Sequence, residues 1–221
     1  MTMPSLDTFT LIALTLLRGA WTAAQVAAGA ALIAACLGLL LALLVVFVRH
    51  RVVQVAIAAY VEWMRNVPAL AHLFVLYFGL ASVGVRLSPL AAAVIGLGLV
   101  GAAILCDVFA AGLRCLHVGQ REAALAVGLT PAQTLRCVLL PQMLRVTLPS
   151  LGNYASQLVK DTSIASAIAA PEVMFYARNL VTSTFETPLI YLTAMLLYAA
   201  MVLPISWAFT RLERHTARGA R

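Results

Sequence analysis

Four long runs without a charged side chain restrict what this chain can fold into. The runs cover Thr22–Val48, Asn66–Val85, Leu87–Cys106 and Thr187–Thr210. A helix needs about 20 largely apolar residues to cross the hydrocarbon core of a bilayer. Each run therefore predicts a membrane-spanning helix, and the third is expected to continue past Asp107 towards Leu113.

The composition supports a membrane protein and argues against a soluble enzyme or a disordered chain. Apolar residues make up 63% of the 221 residues, charged residues make up 10%, and the mean hydropathy is +0.98. An average soluble domain is about 45–50% apolar and about 25% charged. A soluble domain of this length could not bury so much apolar surface.

The positions of the arginines predict the number and the direction of the spans. Basic residues collect on the cytoplasmic flanks of membrane helices. If Arg49–Arg51 is cytoplasmic, the basic segment from Arg114 to Arg145 and the basic C-terminus are also cytoplasmic only when a fifth span lies between them, at about 149–170. Of the 15 lysines and arginines, 11 then lie inside. We predict an all-α protein with five transmembrane helices, the N-terminus outside and the C-terminus inside.

The same pattern divides the chain into three parts. Residues 1–18 form an N-terminal extracytoplasmic or interfacial segment, because Leu6–Leu17 is short and carries Asp7 and Arg18 near its ends. Residues 19–212 form the membrane domain, and residues 213–221 form a basic cytoplasmic tail. The net charge of +7 is thereby explained by topology, without a nucleic-acid partner.

No catalytic, nucleotide-binding or metal-binding pattern is present in the sequence. The only lysine, Lys160, stands between Val159 and Asp161, so the Gly-Lys-Ser/Thr of a phosphate-binding loop is missing. The four cysteines and four histidines lack the spacing of metal ligands. We expect no catalytic residue, no metal and no cofactor on this chain.

A short helix is predicted at the start of the longest polar segment. Gly119 precedes residues 120–127, and Glu122 is expected in the first helical turn, where a negative charge is favourable. Gly128 supplies the left-handed residue that ends a helix. Ala123 and Ala124 leave the helix with little side-chain bulk, which suits either a lipid surface or protein docking.

A second short helix is predicted directly after the first. Thr130 is placed to cap it, with Pro131 at the first position and Gln133 three residues after the cap. Pro141 is expected to end this helix near Leu140. The two helices would then meet at a fixed angle on the cytoplasmic face.

The segment resembles the cytoplasmic signature of ABC importer permeases, which reads Glu-Ala-Ala, three residues, Gly, nine residues, Ile-x-Leu-Pro. Here it reads Glu122-Ala123-Ala124, Gly128 and Val138-Leu139-Leu140-Pro141, with valine in place of isoleucine. The chain is similar to the polar amino acid branch of the binding-protein-dependent transport system inner-membrane components, whose solutes are histidine, glutamine, glutamate, arginine or opines. Further matches are Arg65-Asn66-Val67-Pro68-Ala69-Leu70, Gly119-Gln120, Leu148-Pro149, Gly152-Asn153 and Lys160-Asp161-Thr162-Ser163.

The resemblance covers about Gly19 to Arg214, with departures in the third run and at the start of the second. Branch members often carry Ala-Tyr-x-x-Glu followed by arginine, whereas this chain has Asp107 for the glutamate and Ala110 for the arginine. Asn66-Val67 also replaces Gly-Thr. These departures affect the identity of the solute more than the assignment to a transporter class.

The resemblance implies a type I ABC importer permease fold in the bacterial inner membrane. In such importers two permease chains, identical or related, form the pore within the lipid. An extracytoplasmic binding protein delivers the solute, and a dimer of cytoplasmic ATPase subunits holds ATP and Mg. The short helix would be the coupling helix that docks on the ATPase, and the residues expected to carry the coupling are Gly119, Glu122, Ala123, Ala124, Gly128 and Pro141.

Polar residues near the predicted interior are candidates for the solute path, since a buried charge in a membrane is costly. The candidates are Asp107, Asn153, Lys160, Asp161 and Glu172. The alternative for each is that it packs one helix against another, and Asp107 could pair with Arg114 or with an interfacial arginine. His72 is expected to be a satisfied helix contact. Two other classes stay open from the residues alone, an ATP-independent carrier or channel and a membrane-embedded enzyme.

Overall fold

A computed structural model describes residues 6–218 of the chain, with the side chains of residues 9–216. Residues 1–5 and 219–221, which belong to the predicted N-terminal segment and the predicted basic tail, lie outside the described residues. Within the described part every regular element is helical. The elements in chain order are α1 (Leu6–Phe47), α2 (Arg51–Asn66), α3 (Ala69–Ser82), α4 (Pro89–Cys115), α5 (Val118–Ala126), α6 (residues 131–161), a 3₁₀ helix (Thr162–Ile168), α7 (Val173–Thr184) and α8 (Thr187–Arg218).

Three of these helices are long and apolar enough to cross a membrane, namely α1, α4 and α8. They contain the first, third and last of the predicted runs, which are therefore confirmed as long apolar helices. The pair α2 and α3 passes the same test only when the two are taken together as one bent span. The count is therefore three, or four with the bent pair.

The predicted span Asn66–Val85 is wrong in its extent. Here α2 ends at Asn66, and the chain bends by 103° before α3 begins. Pro68 has no N–H and disfavours a helical residue before it, and Val67 is extended with φ −97° and ψ 134°. The 14 residues of α3 rise only about 21 Å, which is too short to cross alone.

Most of the predicted N-terminal segment belongs to the first long helix. Helix α1 begins at Leu6 and continues without interruption through Arg18. Nothing between Arg18 and Thr22 interrupts the helical hydrogen bonds. Gly19 instead lets the start of α7 approach, because a Cβ there would lie 2.7 Å from the backbone nitrogen of Val173.

The extent of α6 differs from two further predictions. It comprises Pro131–Gln133, a π-helical stretch Thr134–Leu139 and Leu140–Asp161, so Pro141 does not end it. In the π-helical stretch the Leu140 N–H donates to the Leu135 carbonyl, five residues back. This wider turn carries the chain past the proline, which cannot donate. The predicted span 149–170 is helical, but its α-helical part begins before 149 and ends at Asp161.

The largest interface joins α1 to α4 and depends on small residues. A Cβ at Gly98 would lie 2.8 Å from Ile33 Cβ, and one at Gly38 would lie 2.9 Å from the Ala102 carbonyl oxygen. The two backbones therefore approach closely, as small residues allow in membrane bundles. The close contact of α1 with α4 therefore requires a residue without a side chain on each helix, Gly38 on α1 and Gly98 on α4.

The directions of α6 and α8 follow from their contacts. The Ser156 and Ser206 hydroxyls are 2.9 Å apart, and Gly152 lies against Phe209, so the two helices are antiparallel. The first turns of α8 pack with those of α1, in a cluster that includes Ile12 and Ile190. The C-terminal ends of α1, α4 and α8 consequently lie at the end of the bundle where α5 is found.

Candidate functional site

Helix α5 begins two residues earlier than its sequence pattern predicts. His117 is the cap, and its Nδ1 accepts the Gly119 N–H at 3.1 Å. The helix therefore starts at Val118, and the first turn contains no acidic residue. The prediction that Glu122 lies in the first turn is wrong, because the capping role of His117 was not recognised.

Helix α5 ends just before Gly128, as the sequence predicts. Gly128 has φ +87°, and a Cβ there would meet nothing within 4 Å. Its N–H donates to the Leu125 carbonyl at 3.0 Å, while the Leu129 N–H donates to the Ala124 carbonyl at 3.1 Å. This pair of bonds is the Schellman motif, which favours glycine at the left-handed position.

The start of α6 confirms the predicted cap. The Gln133 N–H donates to Thr130 Oγ1 at 3.3 Å, and the Thr130 N–H donates to Gln133 Oε1 at 2.8 Å. These reciprocal bonds form a capping box, with Pro131 at the first helical position. A rigid turn between two capped ends therefore separates α5 from α6.

Helix α5 presents most of its surface to its surroundings. Ala124 is its only buried residue, while Glu122 and Ala123 are exposed. Val118 and Val127, near its two ends, are 69% and 78% exposed. Such an apolar surface around a short helix suits a protein or lipid contact rather than water.

Two side chains attach α5 to the bundle. The Gln142 Nε2 group in α6 donates to Gln120 Oε1 at 3.1 Å. The Arg121 guanidinium carbon lies 5.9 Å from the centre of the Phe47 ring, at the last residue of α1. A cavity of about 480 Å³ separates the end of α1 from α5 and the start of α6.

Asp107 forms an ion pair with Arg65, and this pair joins α2 to α4. The partner is therefore an arginine beside the α2–α3 bend, and Arg114 is not the partner. The two side chains are 51% and 49% exposed, and they border a cleft of about 670 Å³. Arg65 is not among the predicted solute-path candidates, although an arginine beside an uncharged run and an aspartate within another are a signal for such a pair.

Three other predicted solute-path residues lie on α6. Asn153 and Lys160 are exposed, and Asp161 is half-buried and accepts a hydrogen bond from Gln157 Nε2 at 2.7 Å. Residues three and four apart share a helix face, so Asn153, Gln157 and Lys160 lie on the same side of α6. Among the described residues no hydrogen bond or ion pair joins this face to Asp107.

Glu172 is fully buried and caps α7. Its carboxylate accepts the N–H groups of Met174 and Phe175 at 2.9 and 2.8 Å, and the Tyr198 hydroxyl donates to it at 2.5 Å. Burial raises the pKa of Glu172, and these hydrogen bonds and Arg178 act in the opposite direction. Its carboxylate caps α7 and links it to α8.

The prediction that His72 is a helix contact with its hydrogen bonds satisfied is wrong. Both ring nitrogens are buried, and neither has a hydrogen-bond partner within the part of the chain that the structure describes. The ring borders an apolar cavity of about 250 Å³ inside the α2–α3 bend. In residues 9–216, no group of three His, Cys, Asp or Glu side chains is placed to hold a metal ion.

Comparison with protein families gives a match over most of the chain. Residues 34–221 match the family described as "Binding-protein-dependent transport system inner membrane component". The probable glutamine ABC transporter permease protein GlnM of Bacillus subtilis is 35% identical over 156 residues, which are 71% of this chain and 72% of that protein. The probable amino-acid permease protein YxeN of Bacillus subtilis is 34% identical over 200 residues, 87% of each chain.

Solved structures with the same fold include those of two ABC transporters. A crystal structure of an amino acid ABC transporter with histidines superimposes with a TM-score of 0.86 at 26% identity, covering 97% of this chain and 100% of that one. An inward-facing structure of the MetNI methionine ABC transporter gives a TM-score of 0.79 at 22% identity, covering 98% and 99% of the two chains. The second similarity concerns the fold alone.

Proposed function

Since the chain belongs to the family of binding-protein-dependent transport system inner membrane components, we propose that its task as an ABC importer permease is to move a polar amino acid into the cytoplasm. Several of its relatives are described as glutamine or amino-acid permeases, including one of Escherichia coli that is 31% identical. The chain is a multi-pass protein of the bacterial inner membrane, and it is not an enzyme, because ATP is hydrolysed on a separate subunit.

We propose five membrane crossings, with the N-terminus outside and the C-terminus inside. The crossings are α1, the bent pair α2 and α3, α4, α6 with the 3₁₀ helix, and α8. The antiparallel contact of α6 with α8 and the shared end of α1, α4 and α8 support this order. This arrangement brings arginines at positions 49, 114, 121 and 211 to one side, as the distribution of basic residues in membrane proteins favours. Residues 19–212 would then be the membrane domain, between an outer segment 1–18 and a cytoplasmic tail 213–221.

The family implies an ATPase and a solute-binding protein as partners. We propose in addition that the ATPase is a dimer, that a second permease chain completes the pore, and that lipid surrounds the pair. This chain would bind no nucleic acid and no cofactor, because ATP and Mg would be held by the ATPase.

The observation that carries the coupling role is the geometry of α5. Gly119, Glu122, Ala123 and Ala124 lie in a short, mostly exposed helix, Gly128 lies in the turn that follows it, and Pro141 lies in α6. The Schellman motif at Gly128 and the capping box at Thr130 hold this helix at a fixed angle to α6. A stiff element of this kind converts closure of a docked ATPase into rigid-body movement of the spans.

The proposed solute path runs along polar side chains that do not take part in the apolar packing between helices. A polar amino acid carries both an ammonium and a carboxylate, so its path needs acceptors as well as donors. Asp107 with its partner Arg65 offers both kinds of group beside an open cleft. Asn153, Lys160 and Asp161 offer a second set on α6. Glu172 would act on the path indirectly, because it caps α7.

Purification of the intact assembly tests the proposal. The tagged permease is expected to retain an ATPase in detergent, and the binding protein encoded with it is expected to hold a polar amino acid that mass spectrometry identifies. Purification with no ATPase would favour the carrier or channel alternative. Chemical turnover by the isolated chain would favour a membrane-embedded enzyme.

A further inference from the structure

We propose that Gln120 and Arg121 transmit the movement of α5 into the bundle, Gln120 to α6 through Gln142 and Arg121 to α1 through Phe47. The inference rests on the proposed coupling role of α5 and adds to it the residues through which the coupling acts. These are positioning residues, since they connect helices and do not touch solute or ATP.

Apolar packing of α5 is too slight to transmit a displacement. Ala124 is the only buried residue of the helix, and its methyl group is small. Leu125 is 41% exposed, and it borders the cavity of about 480 Å³ that separates α5 from the end of α1. Beside the capped turn to α6, α5 can therefore move its neighbours through the side chains that cross this gap.

The covalent connection from α5 to α6 runs through the Schellman motif at Gly128 and the capping box at Thr130, and then through the π-helical stretch Thr134–Leu139. π-Helical turns are short, rare interruptions of the α-helical hydrogen-bond ladder. The covalent route therefore reaches the regular part of α6, Leu140–Asp161, only after this interruption.

The bond between Gln142 and Gln120 bypasses that route. Gln142 follows Pro141, so it lies beyond the π-helical stretch and within Leu140–Asp161. Its amide donates to Gln120 Oε1 at 3.1 Å, which joins α5 directly to the regular part of α6. A displacement of α5 thus reaches α6 without passing through the turn.

The contact of Arg121 with Phe47 gives a second direct connection. The guanidinium lies over the ring of the last residue of α1, in the position of a cation–π contact. Helix α1 has 42 residues, and its far end packs against α7 at Gly19 and Val173. A push at Phe47 is therefore passed along one continuous helix to the opposite end of the bundle.

The test uses the complete transporter, with its ATPase and binding protein, in proteoliposomes. The readout is the amount of ATP hydrolysed per molecule of the amino acid that the wild-type complex imports. Gln120→Ala and Gln142→Ala are each expected to raise this ratio about twofold to tenfold, the equilibrium factor that corresponds to one neutral hydrogen bond. The amount of ATPase retained in the purified complex should stay at the wild-type level.

Two further variants separate transmission from a merely structural effect. The double variant Gln120→Glu/Gln142→Lys replaces the hydrogen bond by an ion pair in the same place, and it should restore the ratio towards that of the wild type. Arg121→Leu should raise the ratio, whereas the matched control Arg136→Leu should not, because Arg136 is exposed and makes no hydrogen bond, ion pair or ring contact with the described part of the chain.

The outcomes distinguish this inference from the proposed function. Unchanged ratios in all the Gln120, Gln142 and Arg121 variants of a wild-type complex that imports would overturn the inference alone. A failure of the double variant to recover, with ATPase retained, would also overturn the Gln120 part. A wild-type complex with no ATP-dependent import would instead contradict the proposed function.

Discussion

At the scale of single residues, the charged and polar side chains have more specific roles than their sequence positions suggest. Asp107 could be predicted as a residue that needs a partner, because a charge inside an apolar run is costly. The identity of that partner, Arg65, could not be predicted, since it depends on the bend at Pro68, which brings the end of α2 to α4. Glu172 could be predicted as a costly charge but not as a helix cap. Its capping role depends on the hydrogen bonds that its carboxylate accepts from the N–H groups of Met174 and Phe175.

Replacement of Glu172 tests its role as a cap. Glu172→Ala removes the acceptor of two N–H groups and leaves the Tyr198 hydroxyl buried without its partner. We expect a loss of about 2 to 4 kcal/mol in unfolding free energy, the sum of a lost cap and an unsatisfied buried group. Thermal unfolding in detergent measures this loss.

The matched variant for this prediction is Tyr198→Phe. It removes one hydrogen bond and keeps the cap, so it should cost about 1 kcal/mol. Equal melting temperatures for wild type and Glu172→Ala, together with a specific loss of solute import, would show instead that Glu172 acts in the solute path.

At the scale of helices, patterns of capping residues were the most reliable guide. Gly128 and the pair Thr130 and Gln133 predict their turns correctly, because left-handed glycine and the capping box depend on local geometry. The continuation of α6 through Pro141 was not predictable from the proline alone. It depends on a π-helical turn, which has no comparably clear sequence signal.

Substitution of Gly128 tests how α5 is held. Gly128→Ala places a Cβ at φ +87°, which costs about 1 to 2 kcal/mol per left-handed residue, although the surrounding space is open. We expect weaker retention of the ATPase by this variant. Gly128→Asn should retain more ATPase than Gly128→Ala, because asparagine tolerates the left-handed region better. The amount of ATPase in purified complexes measures the effect, and equal retention by both variants would contradict it.

At the scale of the whole molecule, hydropathy predicts which helices are long but not how the chain turns between them. The runs in α1, α4 and α8 need only length and composition to be recognised. The bent pair α2 and α3 depends on Pro68, and α6 carries too many polar residues to resemble a span. The proposed five-span topology therefore rests on charge distribution and on helix contacts together.

Thiol labelling from either side of the membrane tests this topology. In a chain without its native cysteines, Ser183→Cys at the end of α7 should react with an impermeant reagent added outside. A chain that retains only Cys137, exposed near the start of α6, should react only after the inner face is made accessible. Labelling of both positions from the same side would contradict five crossings.

The most direct test of the central claim is import into proteoliposomes that contain the permease, its ATPase and its binding protein. Radiolabelled L-glutamine, L-arginine, L-histidine and L-glutamate are supplied with the binding protein on one side, and ATP on the side of the ATPase. The account predicts accumulation of at least one of these amino acids, dependent on both ATP and the binding protein and abolished by Glu122→Lys. Accumulation without ATP, or ATP-driven movement of none of them, would contradict it.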